Sequence, residues 1–148
     1  MTTPAPEPST KDRITCHALD TSLGLPARNM RVKLELLSTT LPSTTPPPTT
    51  NRVFESQTDD DGRVKSWLPY SSAHSAGEVP VYTLEEVLGG IVGESRWRLR
   101  FDSGGYFEGL GKETFFPEVD VTFKVGEGER YHVPVLLAPF GYSTYRGS

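Results

Sequence analysis

Two histidines and one arginine, His17, Arg63 and His132, are the side chains of this sequence best suited to moving protons and holding charge. An imidazole titrates near pH 6.5 and can act as a base at physiological pH, whereas a guanidinium stays charged and can hold an anion. The three come from distant segments: Ile14-Thr15-Cys16-His17-Ala18-Leu19-Asp20, Asp59-Asp60-Asp61-Gly62-Arg63 and Tyr131-His132-Val133-Pro134. Taken singly, each has a bland explanation. A lone strand histidine is more often a surface or structural group, and an arginine after Asp-Gly is usually a solvated residue leaving a turn. Cys16 cannot form an activated dyad with His17, because adjacent strand residues point to opposite faces, so it reads as a small buried hydrophobe. His74, in a Ser/Ala/Gly stretch, reads as solvated. The Asp59-Asp60-Asp61-Gly62 run lacks the spaced ligands and distal glutamate of a calcium loop and reads as a turn approaching Arg63. No third protein ligand beside the two histidines is evident for zinc, so no metal or other cofactor is expected.

The elements that must position these residues are short strands. Val32, Leu34 and Leu36 alternate with Arg31, Lys33 and Glu35; Trp97, Leu99 and Phe101 alternate with Arg96, Arg98 and Arg100; Val119, Val121, Phe123 and Val125 alternate with Asp120, Thr122 and Lys124. A further apolar run covers residues 131–138, and fragments at 14–19, 53–58 and 64–67 bring the count to about seven. Many short strands separated by Gly, Pro and Asp turns predict an all-β, two-sheet β-sandwich. The same alternation turns His17 outward with Thr15, away from Ile14, Cys16 and Ala18, and turns His132 away from Tyr131, Val133 and Val135. Both imidazoles can therefore line one external face.

Two segments break the strand rhythm. Residues 38–51 are a Thr/Pro/Ser stretch containing Pro46-Pro47-Pro48, expected to be an extended, exposed insertion. Residues 71–93 contain Thr83-Leu84-Glu85-Glu86-Val87-Leu88-Gly89-Gly90, in which Thr83 and Glu86 have capping-box spacing and the glycines can end a short helix. A second short helix is expected over 105–110. Residues 1–12 read as a flexible arm, and 13–148 as a single domain.

Bulk properties narrow the function classes. With 148 residues, a net charge of −4 and no basic stripe, the chain suits one domain with a real core and disfavours a nucleic-acid partner. Its apolar stretches are too short to span a membrane, its first residues are not signal-like, and its one cysteine excludes an internal disulfide. A soluble protein of the cytoplasm is expected, with the peroxisome open only through a signal other than the Arg146-Gly147-Ser148 ending.

That ending, Gly141-Tyr142-Ser143-Thr144-Tyr145-Arg146-Gly147-Ser148, follows directly on the 131–138 run and is expected to be held in place rather than frayed. Together with His17 in His-Ala-Leu-Asp, the 58–63 segment ending in Asp-Gly-Arg, and Tyr131-His132-Val133-Pro134, it resembles, in the same order, the motifs of 5-hydroxyisourate hydrolases, the purine-degrading branch of the transthyretin-like family. Asp102-Ser103-Gly104-Gly105-Tyr106-Phe107 and Phe115-Phe116-Pro117-Glu118 resemble that family's segments around its helix. The resemblance covers most of 14–148. It implies a transthyretin-like (Ig-like) sandwich of seven to eight strands with one or two short helices. The implied activity is metal-free hydrolysis of 5-hydroxyisourate to 2-oxo-4-hydroxy-4-carboxy-5-ureidoimidazoline, with His17, Arg63 and His132 as catalytic residues. Tyr145, Arg146, Gly147 and Ser148 would line the substrate site, and the protein would be a homotetramer built as a dimer of dimers. Apolar outward groups such as Leu136 would suit a covered surface. Two other readings share the sandwich: a carrier of small aromatic ligands of the transthyretin type, and an interaction module using the Pro/Thr stretch.

Overall fold

The computed structural model describes residues 11–40, 52–69 and 82–147. Two five-stranded sheets face each other across an apolar interior. In the first sheet, β10 (Gly141–Thr144), β9 (Tyr131–Ala138), β1 (Ile14–Asp20) and β2 (Leu25–Pro26) lie in that order, with β5 (Arg63–Val64) also paired to β1. The second sheet runs β6 (Leu68–Pro69), β4 (Val53–Gln57), β3 (Arg31–Thr39), β7 (Ser95–Phe101) and β8 (Val119–Val125). All pairings are antiparallel except β1 with β9.

The inward rows follow the alternation in the sequence. Ile14, Cys16 and Ala18 of β1, Val32, Leu34 and Leu36 of β3, and Trp97, Leu99 and Phe101 of β7 are buried. Each fully buried Leu or Phe contributes on the order of 1.5–3 kcal/mol, so these rows fix which face of each strand looks out. The thiol of Cys16 lies inside, and burial pushes its pKa far up, away from any thiolate role.

The two-sheet sandwich with two short helices agrees with the expectation, and its division into strands is finer. Seven strands are longer than three residues, and three two-residue strands, β2, β5 and β6, join them. The predicted 64–67 strand does not form as one piece. Trp67 leaves the ladder because its indole donates to the Ile14 carbonyl (2.8 Å) while its backbone N–H donates to the Asp12 carboxylate (2.8 Å).

Helix α1 (Leu84–Gly89) starts as its sequence dictates: Glu86 N–H donates to the Thr83 hydroxyl and Thr83 N–H to the Glu86 carboxylate, both at 3.2 Å. Its Glu85 accepts from the Arg13 backbone and guanidinium, each at 3.1 Å, tying the helix to the start of β1. Helix α2 (Ser103–Gly109) begins earlier than expected because Asp102 caps it, accepting from Gly105 N–H at 3.0 Å. Tyr106 of α2 donates to the buried Asp20 at the end of β1 (2.8 Å), and Ser22 and Leu23 also donate to that carboxylate. Burial alone would raise the Asp20 pKa; these donors outweigh it and hold the carboxyl below its ordinary value. The arm at 1–10, the core of the Pro/Thr stretch at 41–51, and His74 lie outside the described residues.

Candidate active site

The first sheet brings His17, Arg63 and His132 together through register alone. In the antiparallel β1–β5 pair His17 stands opposite Arg63; in the parallel β1–β9 pair Thr15 stands opposite His132 and His17 opposite Pro134. Paired residues project to the same side of a sheet, so all these side chains share the outer face. The two imidazole rings lie 6.3 Å apart, centroid to centroid, tilted by 30°.

Arg63 reaches β1 through a turn that requires glycine. Asp59 Oδ1 accepts the N–H groups of Asp61 and Arg63, both at 2.9 Å, and Asp59 N–H donates to the Arg63 carbonyl (3.0 Å). Gly62 sits at φ +74°, where a Cβ would lie 2.4 Å from the Ala18 carbonyl oxygen. The triple-aspartate run is therefore a turn that presents Arg63, as its sequence suggests, and the hydrogen bond from Arg63 N–H holds the Asp59 carboxyl below its usual range.

His132 is held by its neighbours on both strands. The Thr15 hydroxyl lies 2.8 Å from His132 Nδ1 and 3.4 Å from the Tyr131 carbonyl. After β10 the chain folds back beside the ring, where Gly147 N–H donates to the His132 carbonyl at 2.9 Å. A Cβ on Gly147 would come within 2.9 Å of His132 Cδ2, the His132 carbonyl oxygen and Pro134 Cγ alike, so only glycine permits this approach. Arg146 extends over the Tyr131 ring at 5.2 Å.

A cleft of about 420 Å³ opens beside these groups, lined by Thr15, Arg63, His132, Arg146 and Gly147 together with Lys11, Asp12, Arg13 and Arg130, three cations and one carboxylate. His17 is not in the lining of this cleft; it stands opposite Arg63 in the β1–β5 pair, with its ring 6.3 Å from that of His132. Tyr145 lies largely exposed on an adjoining groove of about 570 Å³ with Val121, Phe123 and Val133, which meets the cleft at Tyr131, His132 and Arg146. Ser148 lies outside the described residues. Desolvation, reinforced by the Arg63 guanidinium, holds both histidines below the ordinary imidazole value. A hydrogen bond to the Asp61 backbone and the Asp59 and Asp61 carboxylates partly offset this at His17, whereas Lys11 and His17 add to it at His132.

Reading the sequence alone misses the hydroxyl of Thr15 as a partner of His132, and the cations Lys11, Arg13 and Arg130 of the cleft. The signal for Thr15 was present, two residues before His17 and so on the same face, but nothing local says that the strand alongside carries His132.

Neutral imidazoles next to a fixed cation, half sheltered from water, are equipped to deprotonate water and to stabilise an oxyanion. Residues 14–147 match the model of the HIUase/Transthyretin family. The chain belongs to that family. It is 35% identical over 135 residues to a probable 5-hydroxyisourate hydrolase of Schizosaccharomyces pombe, covering 91% of this chain and 90% of that one. The mouse 5-hydroxyisourate hydrolase is 32% identical, with 91% and 94% covered. Among solved structures, Klebsiella pneumoniae 5-hydroxyisourate hydrolase superposes with a TM-score of 0.58 at 28% identity, covering 91% of this chain and 98% of that one.

Proposed function

We propose that this protein hydrolyses 5-hydroxyisourate to 2-oxo-4-hydroxy-4-carboxy-5-ureidoimidazoline, a step of urate degradation, and that the reaction takes place at the His17–Arg63–His132 face. The observation that carries the reading is the convergence of these three residues from three strands beside the folded-back Arg146-Gly147 segment. Opening the six-membered ring needs a group to take a proton from water, a charge to hold the developing oxyanion, and a proton for the departing nitrogen. The two histidines supply the proton transfers and Arg63 holds the oxyanion or the polar heterocycle. Arg146 and Gly147 line the cleft and position the ring, and Tyr145 on the adjoining groove and Ser148 are proposed as further substrate-binding residues. Water is the nucleophile: Cys16 is buried on the opposite face of β1.

The working form is a homotetramer, a dimer of dimers, a reading supported by family membership and by the exposed Tyr145 and half-buried Leu136 on the face that carries the site. Assembly would cover these groups and close the cleft. No helix among the described residues is long and apolar enough to cross a membrane, and the cytoplasm is the proposed compartment.

The test is spectroscopic. With 5-hydroxyisourate generated by urate oxidase, the protein should speed its decay well above the spontaneous rate. A decay unchanged by added protein would reject the activity and favour a ligand-carrying role for the same fold.

A further inference from the structure

Thr15 belongs to no motif that suggested the function, yet its hydroxyl lies within hydrogen-bond distance of a site histidine. Its hydroxyl oxygen lies between two groups of different character: His132 Nδ1 at 2.8 Å and the Tyr131 carbonyl oxygen at 3.4 Å. A hydroxyl has one proton to give, and a carbonyl oxygen can only accept. Both contacts are hydrogen bonds in one arrangement alone, in which Thr15 Oγ1–H donates to the carbonyl and His132 Nδ1–H donates to Oγ1. The carbonyl thereby orients the hydroxyl, and the hydroxyl selects the ring proton.

We infer that Thr15 is a positioning residue that fixes His132 as the Nδ1–H tautomer, leaving Nε2 as its basic nitrogen. Among the described residues Nε2 has no hydrogen-bond partner, and the ring lines the cleft. The close approach of Gly147 to Cδ2, the carbon bonded to Nε2, marks that edge of the ring as the one facing the folded-back chain end. The two histidines then divide their roles. A ring N–H of His17 is engaged by the Asp61 backbone on the turn that carries Arg63, whereas Nε2 of His132 has no partner among the described residues and its ring lines the cleft. His132 takes the proton from water at Nε2, and His17 donates or orients. The assignment of roles rests on the proposed hydrolase reading; the tautomer rests on geometry alone.

Nitrogen-15 spectra of histidine-labelled protein at pH 8 read the tautomer directly, with His132→Gln identifying the His132 signals. The expected pattern is a protonated Nδ1 and an unprotonated Nε2. Thr15→Val, which keeps the branched shape and removes the hydroxyl, should lose this bias and lower kcat by roughly 10- to 100-fold, the range that loss of an orienting partner costs metal-bound histidines, with KM little changed. Thr15→Ser, which restores the hydroxyl, should recover both signals and turnover. A wild-type ring protonated at Nε2, or a Thr15→Val enzyme with unchanged kcat, would overturn the inference. If the wild-type protein failed to consume 5-hydroxyisourate, the functional reading would fall while the spectrum still decided the tautomer.

Discussion

Two outward rows of this sandwich carry basic side chains on the same period-2 pattern, and they are built differently. On β7, Arg98 faces Glu35 across the β3 pairing and bonds it at 2.7 Å, and Arg100 faces Asp120 across the β8 pairing at 2.9 Å, with Glu118 at 3.5 Å. These two cations each meet a carboxylate directly across the sheet, a cross-strand arrangement that supports pairing and leaves little chemistry to spare, while Arg96 at the end of the row stands opposite Ser38 and Lys124. On β1 and β9, register sets His17 against Arg63 and Thr15 against His132, with no carboxylate directly opposite. There the turn after Asp59 and the returning chain end add further groups from distant segments. An outward row of basic residues is thus not itself a site; the site is where the row is left unmatched and other parts of the chain converge on it.

Substitutions should separate the two rows. The largest effects are expected from His17→Ala, Arg63→Ala and His132→Ala, each lowering turnover of 5-hydroxyisourate by at least about 10²-fold with an unchanged circular dichroism spectrum, since positioned acid–base groups contribute roughly 10² to 10⁴. Near-normal turnover in any of the three would remove that residue from the reaction. Gly147→Ala comes next. Its methyl group would displace the His132 ring or the chain end, and because a shift of about 1 Å can cost about 10²-fold, a loss of roughly 10- to 100-fold is expected; wild-type rates would show that the chain end does not set the ring.

The pH dependence gives a smaller effect with a definite sign. Both site histidines are held below 6.5 in the folded protein, and the one that acts as base must be neutral. The plateau of kcat/KM should therefore extend below pH 6.5 before falling on the acid side; a half-maximal point at or above 6.5 would contradict the desolvated, Arg63-flanked setting. Stability follows the same sign, because the unfolded chain binds protons near pH 6.5 that the folded histidines do not, so folding weakens as pH falls through that value. The smallest effects belong to the matched row: Arg98→Gln and Arg100→Gln should each shift stability by about 1 kcal/mol or less, measured by urea unfolding, and leave turnover untouched. A large loss of activity from either would erase the contrast.

The fold was legible because its signals are local. Alternation on the segments that became β1, β3, β7, β8 and β9 announces both the strand and its buried face, and the Thr83–Glu86 capping box announces α1. The outward orientation of His17 and His132 followed from the same rule. Partnership across strands was not legible: that Thr15 meets His132 depends on a parallel pairing of segments more than a hundred residues apart, and Trp67 leaves its strand for a carbonyl on β1. The motif resemblance supplied the convergence that alternation could not, while Gly62 and Gly147 show in geometry why two of those motifs contain glycine.

The claim that catalysis occurs where the chain end meets β1 and β9 is tested most directly by removing residues 145–148 and measuring turnover of freshly generated 5-hydroxyisourate beside the intact chain, with light scattering to compare assembly. The truncated protein should keep its sandwich core and lose most of its activity, since Arg146 and the backbone bridge to His132 go with it. A truncated form as active as the intact chain would place the reaction elsewhere on the molecule.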